Sequence, residues 1–372
     1  AARFGAGSLA TTLGALVFTT PLTVFYFSSV SLISPLANLL TLWAVSAAFL
    51  GGLFTALLGL ALPNLAGAAG WLCALPVRYI QGVITPLSRL TFSAVSTDTV
   101  YLRLWLLLVY VILGILCLSI LRRQRLRPVF PVCLCAVTLA AALLANSLTL
   151  FRGGITAAVL DVGQGLSVAL TSRGRTALVD CGGYQAGEIA ADYFQGMAAS
   201  QVDVLVLTHY HADHANGVSA LLSRMPVELL VVPDVDPESE LRAEILALAR
   251  KEDAEVRFVT SDTSIELGDV TLQIYPPLGD GGANEEGLSV LCTAGEFDAL
   301  ITGDMPKSVE KLLLEYTQLP DIELLVAGHH GSKDATSQEL LDALLPEHAV
   351  ISVGYNSYGH PAQETINRLA VS

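Results

Sequence analysis

Long uncharged runs dominate the first 150 residues of the chain, and they predict helices that span a membrane. A bilayer-spanning helix needs about 20 consecutive apolar residues. Four runs approach or exceed that length: Ala6–Phe27, Leu36–Leu62, Leu104–Leu121 and Val129–Leu150. The intervening stretch Leu65–Leu90 is more amphipathic, and we expect it to lie along the membrane interface or inside a helical bundle. The front of the chain is therefore predicted to be an all-α, polytopic membrane segment.

The pattern changes after Gly153–Gly154, where short apolar runs are separated by turn residues. Such runs predict strands, and apolar residues at helical spacing predict helices between them. The strands are predicted at residues 155–161, 167–171, 176–180, 202–207, 229–232, 256–259, 264–267, 270–275, 288–292, 299–301, 322–326 and 349–353, and the helices at 186–199, 238–251, 308–316, 337–345 and 361–370. This mixture predicts two sheets with outer helices, an α/β (αββα) sandwich. We expect a membrane domain at residues 1–151 and a second domain at residues 152–372.

Charge separates the same two regions. Phe4–Val77 contains no Asp, Glu, Lys or Arg, and the first 150 residues hold eight Arg and one acidic residue. The remainder holds 12 basic and 33 acidic residues, a net charge of −21. The basic stretch Arg122–Arg127 lies between the last two predicted spans, and short loops rich in Lys and Arg face the cytoplasm. The second domain is therefore predicted outside the cytoplasm, on a multi-pass membrane protein.

Neither the cysteines nor the start of the chain indicates a secreted protein. Four of the six cysteines fall in or near apolar runs, where packing is the expected role, and no disulfide framework is evident. The chain opens with Ala-Ala-Arg, and its first apolar run continues into others without a signal-peptide cleavage site. We expect it to begin inside a longer protein.

The stretch THYHADHANG, residues 208–217, follows a fully apolar predicted strand and concentrates candidate metal ligands. His209 and His211 are two positions apart, so on extended backbone their side chains point to the same side. Asp213 and His214 follow at the start of the next helix. Imidazole and carboxylate groups in this mixture suit zinc, manganese or iron.

Later strands end in the same kind of residue. Asp180 ends the run TALVD, Asp304 ends ALITGD, and His329 ends LLVAGH. A single Asp at a strand end is usually a turn former. Together, however, these residues predict that several strands deliver metal-binding side chains to one edge of the sandwich.

This combination of HxHxDH, a downstream TGD and a strand-terminal GH resembles the metallo-β-lactamase fold hydrolases. The resemblance implies two divalent ions, Zn²⁺ or Mn²⁺, and a metal-bound hydroxide as the nucleophile. The implied ligands are His209 and His211 for the first ion, Asp213 and His214 for the second, Asp304 between them, and His329 completing the second site. Asp180 would orient a ligand from behind.

One position departs from that family. A further His usually precedes the strand that leads to the bridging Asp, and the stretch Gly281–Leu291 contains none. The first site would then lack one nitrogen ligand, which makes manganese a rival to zinc.

The missing His, together with the motifs DVGQG, VDCGG, HHGS and SVGYNSYGHP, resembles the C-terminal domain of the ComEC family. SLISPLANLL (Ser31–Leu40) resembles a motif of that family's membrane competence domain. The resemblance implies a channel for uptake of single-stranded DNA, with an external metallo-β-lactamase-fold domain that acts as a nuclease. The implied partners are double-stranded DNA as substrate, single-stranded DNA as product, the lipid bilayer and other competence proteins. Leu166 stands where the family often has Asp, so the role of this loop is open.

The predicted catalytic residues are Asp213, His330 and His360. The two histidines, together with Lys333, are assigned to the phosphate oxygens or the leaving group. The net charge of the domain opposes DNA binding, which normally rests on Lys and Arg, and no platform of aromatic and basic residues is evident. Two alternatives therefore stay open: a membrane-tethered hydrolase of an envelope phosphoester, and a transport protein whose hydrolase-like domain is structural.

Overall fold

The computed structural model describes residues 2–27, 29–88, 94–97, 99–122, 129–151, 153–280 and 282–371. The chain forms two compact units, residues 1–143 and residues 144–372.

The first unit is helical. Its described helices are α1 (Ala2–Phe27), α2 (Ser34–Ala61), α3 (Pro63–Ser88), α4 (Val100–Leu121) and α5 (Val129–Leu150), the last of which continues into the second unit. A short antiparallel pair is formed by β1 (Ser29–Ser31) and β2 (Ala94–Ser96). By length and composition α2, α4 and α5 can each cross a membrane, and Gly14–Tyr26 within α1 is a shorter apolar segment. Large apolar side chains such as Phe49 and Leu60 are exposed on these helices. Such surfaces indicate a membrane protein, because in lipid they meet hydrocarbon and not water.

The amphipathic stretch predicted at residues 65–90 falls on α3, apart from its last two residues, which lie outside the described part. α3 packs against α2, with the rings of Trp43 and Tyr79 5.0 Å apart and the Tyr79 hydroxyl donating to the Leu40 carbonyl. This pairing leaves both predicted locations open, because α3 buries none of its side chains. In the basic loop Arg122–Arg127, all residues after Arg122 lie outside the described residues.

Two six-stranded sheets form the second unit. The first sheet contains β3 (Thr156–Val159), β4 (Val168–Ser172), β5 (Arg175–Val179), β6 (Val202–Val206), β7 (Val227–Pro233) and β8 (Glu255–Val259) in that spatial order. The second contains β9 (Thr263–Leu267), β10 (Val270–Tyr275), β11 (Ser289–Ala294), β12 (Phe297–Ile301), β13 (Leu324–Val326) and β14 (His348–Val350), again in chain order. β5 to β8 are parallel, as are β12 to β14, and the remaining neighbours within each sheet are antiparallel.

Alternation along the strands builds three apolar layers. In β5, Ala177 and Val179 belong to the core between the two sheets, whereas Leu178 packs on the helical side. The helices are α6 (Ala186–Gly196), α7 (Ala212–Ala215), α8 (Val218–Arg224), α9 (Glu240–Lys251), α10 (Lys307–Tyr316), α11 (Gln338–Leu344) and α12 (Gln363–Leu369). Residues of α6, α8 and α9 share a core with the first sheet, and those of α10 and α11 with the second. The predicted αββα sandwich is confirmed.

The parallel strands explain where polar residues collect. Parallel strands end at a common edge, and ligand sites of α/β folds lie beyond the carboxyl ends of such strands. β5 and β6 lead to Asp180 and His209 in the first sheet, and β12 and β13 lead to Asp304 and His329 in the second. In both sheets, candidate ligands therefore lie directly after the carboxyl ends of parallel strands.

Candidate metal centre

The segment after β6 turns its histidines to one side. His209 is buried, and its ring lies 4.7 Å from that of the exposed His211. The intervening Tyr210 faces away, and its hydroxyl donates to the Pro233 carbonyl at 2.9 Å. α7 begins directly afterwards and carries Asp213 and the fully buried His214. The predicted alternation is confirmed by these contacts.

Asp180 holds this segment from behind. It is completely buried, and its backbone has a left-handed φ of 59° at the end of β5. Its carboxylate accepts from the Thr208 amide at 2.7 Å, from the Thr208 hydroxyl at 2.8 Å, and from Nδ1 of His214 at 2.7 Å. A carboxylate on Nδ1 selects the tautomer that leaves Nε2 as a free acceptor. These contacts support the orienting role predicted for Asp180, which stays a prediction.

Three buried imidazoles share that arrangement. Nδ1 of His209 contacts the Thr208 hydroxyl at 3.1 Å, and Nδ1 of His330 contacts the Ser352 carbonyl at 2.9 Å. In His209, His214 and His330, Nε2 is buried without a hydrogen-bond partner, as is Oδ1 of Asp304. Buried polar atoms are nearly always satisfied. Unsatisfied imidazole nitrogens that converge on a carboxylate fit a divalent cation, which would bind all of them at once.

Asp304 lies between these groups. Its Oδ1 is 2.9 Å from Nε2 of His214 and 3.8 Å from Nε2 of His330. Its Oδ2 is 4.0 Å from Nε2 of His209 and 3.5 Å from Nε2 of His329. The 2.9 Å pair is close but is not aligned as a hydrogen bond, which is why both atoms remain unsatisfied. The two oxygens thus face different histidines.

The candidate ligand atoms form two groups that share Asp304. One group contains Asp213, His214, Asp304 and His330, and the other contains His209, His211 and Asp304, with ligand atoms within 4.8 Å of one another in each. Nε2 of His330 is 3.3 Å from Oδ2 of Asp213. Among the described residues, neither group includes His329, whose side chain is 30% exposed. The ligand role predicted for His329 and the phosphate role predicted for His330 stay predictions.

Electrostatics at the centre favour charged carboxylates. Burial raises the pKa of Asp213, but the nearby imidazoles of His330 and His214 outweigh it and lower the pKa to about 2. The pKa of Asp304 is also held low, because the neighbouring histidines outweigh burial. Burial lowers the pKa of His209. Burial would do the same at His214, but Asp304 and Asp180 raise its pKa well above 6.5. Anionic carboxylates among imidazoles are the state that binds a cation.

Glycines allow the loops to approach the centre closely. A Cβ on Gly182 would lie 2.1 Å from the backbone nitrogen of His214, so any side chain there would displace the turn that carries Asp213 and His214. A Cβ on Gly354 would lie 2.4 Å from the backbone nitrogen of Gln164. The amide of Leu166 donates to the Asp213 carbonyl at 2.9 Å. The DVGQG loop and the following Leu166 therefore contact the surroundings of the candidate centre through backbone groups.

The remaining predicted residue, His360, lies beside His329, with the two rings 5.4 Å apart. Burial lowers the pKa of His360, and the charges of His329 and His330 lower it further. Lys333 is exposed. In the loop where the family has another histidine, Asn284 has a buried side-chain oxygen without a hydrogen-bond partner.

Three groups that hydrogen-bond to the candidate site or to its loops were not predicted from the sequence. Thr208 links Asp180 to His209, and its place beside the first histidine of the motif could have indicated this role. The Ser352 carbonyl is a backbone group, which residue types do not reveal. Asn356 organises the loop that carries His360, as its four hydrogen bonds show.

Family models match both parts of the chain. Residues 160–355 match the metallo-beta-lactamase superfamily, and residues 2–124 match the competence protein family. These matches confirm the predicted pairing of a competence domain with a metallo-β-lactamase-fold domain.

The chain is also similar to curated relatives and to a solved structure. The chain is 28% identical to ComE operon protein 3 of Bacillus subtilis over 57% of this chain and 30% of that protein. It is 31% identical to competence protein ComA of Neisseria gonorrhoeae over 57% of this chain and 29% of that protein. The aligned part thus spans less than a third of either relative. The metallo-β-lactamase fold protein YhfI from Bacillus subtilis aligns with a TM-score of 0.42 and 14% identity, over 58% of this chain and 93% of that one.

Proposed function

Because the chain belongs to the metallo-beta-lactamase superfamily, we propose that its His/Asp cluster binds two divalent ions, zinc or manganese, and hydrolyses phosphodiester bonds in DNA. The observation that carries the proposal is the convergence of three anchored imidazoles, each with a buried and unsatisfied Nε2, on Asp304. The two oxygens of Asp304 face different histidines, as a carboxylate shared by two ions would.

In the proposed ligand set, His209, His211 and Asp304 hold one ion, and Asp213, His214, His330 and Asp304 hold the other. His330 takes the place that the family resemblance gave to His329, because its Nδ1 is anchored and its Nε2 is buried. Divalent ions in this position would activate water as a nucleophile and offset the charge of a phosphodiester.

The chain's own residues would orient and protonate the substrate. His329 is partly exposed beside Asp304, so it can donate to a phosphate oxygen on the open side of the centre. His360 stands behind His329, and its lowered pKa leaves a neutral imidazole that can accept or relay a proton. Asp180 and Thr208 fix the imidazoles before any substrate arrives, which lowers the reorganisation needed for reaction.

The membrane unit bears on where the proposed hydrolase would act. We propose that the apolar helices belong to a channel for single-stranded DNA in the inner membrane, and that the hydrolase unit lies outside the cytoplasm, where it degrades one strand of incoming double-stranded DNA. The match of residues 2–124 to the competence protein family supports this role. Other competence proteins would deliver the DNA.

A second candidate is favoured by one observation. The second unit carries the great majority of the chain's 34 acidic residues, and an acidic surface repels a polyanion. A small phosphodiester of the cell envelope would not require a basic groove. The alternative is therefore a membrane-tethered hydrolase of that smaller substrate.

The experiment uses the full chain in detergent, loaded with Mn²⁺ or Zn²⁺. End-labelled linear single- and double-stranded DNA and bis(p-nitrophenyl) phosphate are the substrates. The test variant combines Asp213→Ala with His214→Ala, and the control is His348→Ala, an exposed histidine of β14. We expect metal-dependent DNA cleavage that the double variant loses and the control retains.

Other outcomes separate the candidates. Hydrolysis of the small diester with intact DNA would replace the DNA proposal by the envelope alternative. Purified protein that binds no divalent metal and hydrolyses neither substrate would contradict both enzymatic proposals.

A further inference from the structure

Three tyrosines lie exposed around the metal centre. Tyr355 is fully exposed, and the exposed fractions of Tyr358 and Tyr184 are 73% and 72%. Single exposed aromatic residues are common on protein surfaces. These three, however, lie on two loops, and each loop contacts the DVGQG loop or the candidate metal centre. The exposed tyrosines are therefore concentrated beside one site.

The loop that carries two of them is fixed to the centre at both ends. At its start, the Ser352 carbonyl accepts from Nδ1 of His330 at 2.9 Å, and its hydroxyl donates to the Gly165 carbonyl at 2.6 Å. At its end, the ring of His360 lies 5.4 Å from that of His329 and 5.9 Å from that of Tyr358. A row of rings therefore leads from the open side of the centre to Tyr358.

Asn356 makes the loop rigid between these ends. Its side-chain amide donates to the carbonyls of Gly354 and His360 at 2.9 and 2.8 Å. Its side-chain oxygen accepts from the amides of Tyr358 and His360 at 3.0 and 3.1 Å. Because the backbone on both sides of Asn356 is held by one side chain, the two tyrosines are presented to solvent without a large entropy cost on binding.

Tyr184 also lies beside the DVGQG loop. Its amide donates to the Val162 carbonyl at 2.7 Å, and its Cβ is 3.8 Å from where a Cβ on Gly163 would lie. Gly354 approaches the same loop from its own side, at Gln164. The DVGQG loop thus contacts both the segment of Tyr184 and the loop of Tyr355.

The charge of the domain limits what these rings can bind. Residues 151–372 carry 33 acidic and 12 basic residues, so recognition of a phosphate backbone by Lys and Arg is weak here. Stacking of a base on a tyrosine ring needs no charge, and every base has a π-face. Such a contact requires bases whose faces are free, which an intact duplex does not offer.

We propose that Tyr355 and Tyr358, with Tyr184 beside the same DVGQG loop, form a stacking platform that holds the bases of an unpaired DNA strand while a phosphodiester lies at the metal centre. The inference rests on the proposed nuclease function and names the form of its substrate. It also accounts for DNA binding by an acidic domain, since affinity comes from stacking and from the metal ions.

The test measures binding of two fluorescein-labelled strands to the full chain in detergent, with metal present. Both are about 12 nucleotides long, within the range that single-strand-binding folds cover, and both carry phosphorothioate linkages to prevent cleavage. One strand is oligothymidylate and the other is abasic. The variants are Tyr355→Ala with Tyr358→Ala, the same positions changed to Trp, and the matched control Tyr316→Ala, an exposed tyrosine whose hydroxyl donates to Asp262.

We expect the unchanged chain to bind oligothymidylate at least about tenfold more tightly than the abasic strand, because each stacked base contributes roughly 1–3 kcal/mol. The double Ala variant should lose this preference, while the Trp variant and the Tyr316→Ala control keep it. The bound metal content and the thermal unfolding midpoint should be unchanged in all variants, which excludes a folding defect.

Equal affinity for the two strands, or an unchanged preference in the double Ala variant, would overturn the platform. If DNA were still cleaved in that case, the nuclease proposal would stand without it. If the unchanged chain neither cleaved DNA nor preferred the base-containing strand, both would fall together.

Discussion

The metal centre has a buried side and an exposed side, and the two are built differently. On the buried side, His209, His214 and His330 each have Nδ1 in contact with a protein oxygen. On the exposed side, His211 is open to solvent, and the side chains of Asp213 and His329 are about one-third exposed. The first set is fixed by contacts behind it, whereas the second can still adjust its position.

This difference separates two tasks. Anchored imidazoles hold a cation in one place at little cost when it binds, because their geometry exists beforehand. Exposed groups can meet a substrate that arrives from solvent. This division predicts that substitutions on the buried side remove metal, whereas substitutions on the exposed side mainly change turnover.

The largest effect is expected for His214→Ala compared with His211→Ala. His214 is fully buried and contacts both Asp180 and Asp304, so its removal leaves two buried carboxylates without their shared cation or imidazole. We expect loss of bound metal and of hydrolysis. His211→Ala removes one exposed member of the proposed ligand set, and a measurable fraction of metal should remain. Metal content by mass spectrometry and hydrolysis of bis(p-nitrophenyl) phosphate give the two readouts. Equal metal content in the two variants would contradict the comparison.

The next effect tests two adjacent residues. We expect His330→Ala to lose metal and His329→Ala to keep it while turnover falls, because only His330 has an anchored Nδ1 and a buried Nε2. The measurement is metal affinity beside the rate of hydrolysis at saturating metal. The reverse result, metal lost only in His329→Ala, would restore the ligand assignment that the sequence resemblance implies.

The pair also shows where sequence patterns stop being informative. Alternation on an extended strand correctly placed His209 and His211 on one side, because that period is a property of the backbone. His329 and His330 both have left-handed backbone conformations, with φ of 50° and 52°. Neither the helical nor the strand period applies there, so spacing could not decide which imidazole faces the centre.

Local sequence patterns predicted the fold better than they predicted the site. Each strand of the two large sheets overlaps one predicted from short apolar runs, because burial on one or both faces leaves a clear period. The short helix α8 was not predicted, since Val218–Arg224 offers only two turns of apolar spacing. The contact between Ser352 and His330 joins a backbone carbonyl to a side chain, and such a contact depends on the packing of two loops.

A smaller effect is expected when the anchor, and not the ligand, is changed. Asp180→Asn keeps the shape of the side chain but replaces the anionic acceptor behind His214. Substitution of such an orienting group typically lowers metal affinity about 10- to 100-fold. The matched control is Asp203→Asn, another buried carboxylate of the first sheet, which accepts from Thr176 and Arg175. Competition with a chromophoric chelator measures the affinity. An equal loss in both variants would indicate general destabilisation of the sheet.

The smallest effect is a dependence of metal affinity on pH, and its direction follows from the groups around His214. Asp180 faces its Nδ1, Asp304 faces its Nε2, and the rings of His209 and His330 lie beside it. Burial and the neighbouring imidazoles disfavour a proton on His214, but the two carboxylates raise its pKa well above 6.5. Without metal, the protonated form therefore stabilises the fold below pH 6.5, and this contribution is lost as the pH rises through the folded pKa.

A cation must displace that proton, so metal affinity should rise with pH, by at most about tenfold per unit, until the pH passes the folded pKa of His214. Asp180→Asn removes one of the two carboxylates that raise this pKa, and the rise should then occur at lower pH. Chelator competition across a pH series measures both curves, with Asp203→Asn as the control. If affinity were flat across that window, or if the Asn variant kept the original profile, His214 would not carry the displaced proton. The carboxylates around His214 would then not set the pH dependence of metal binding.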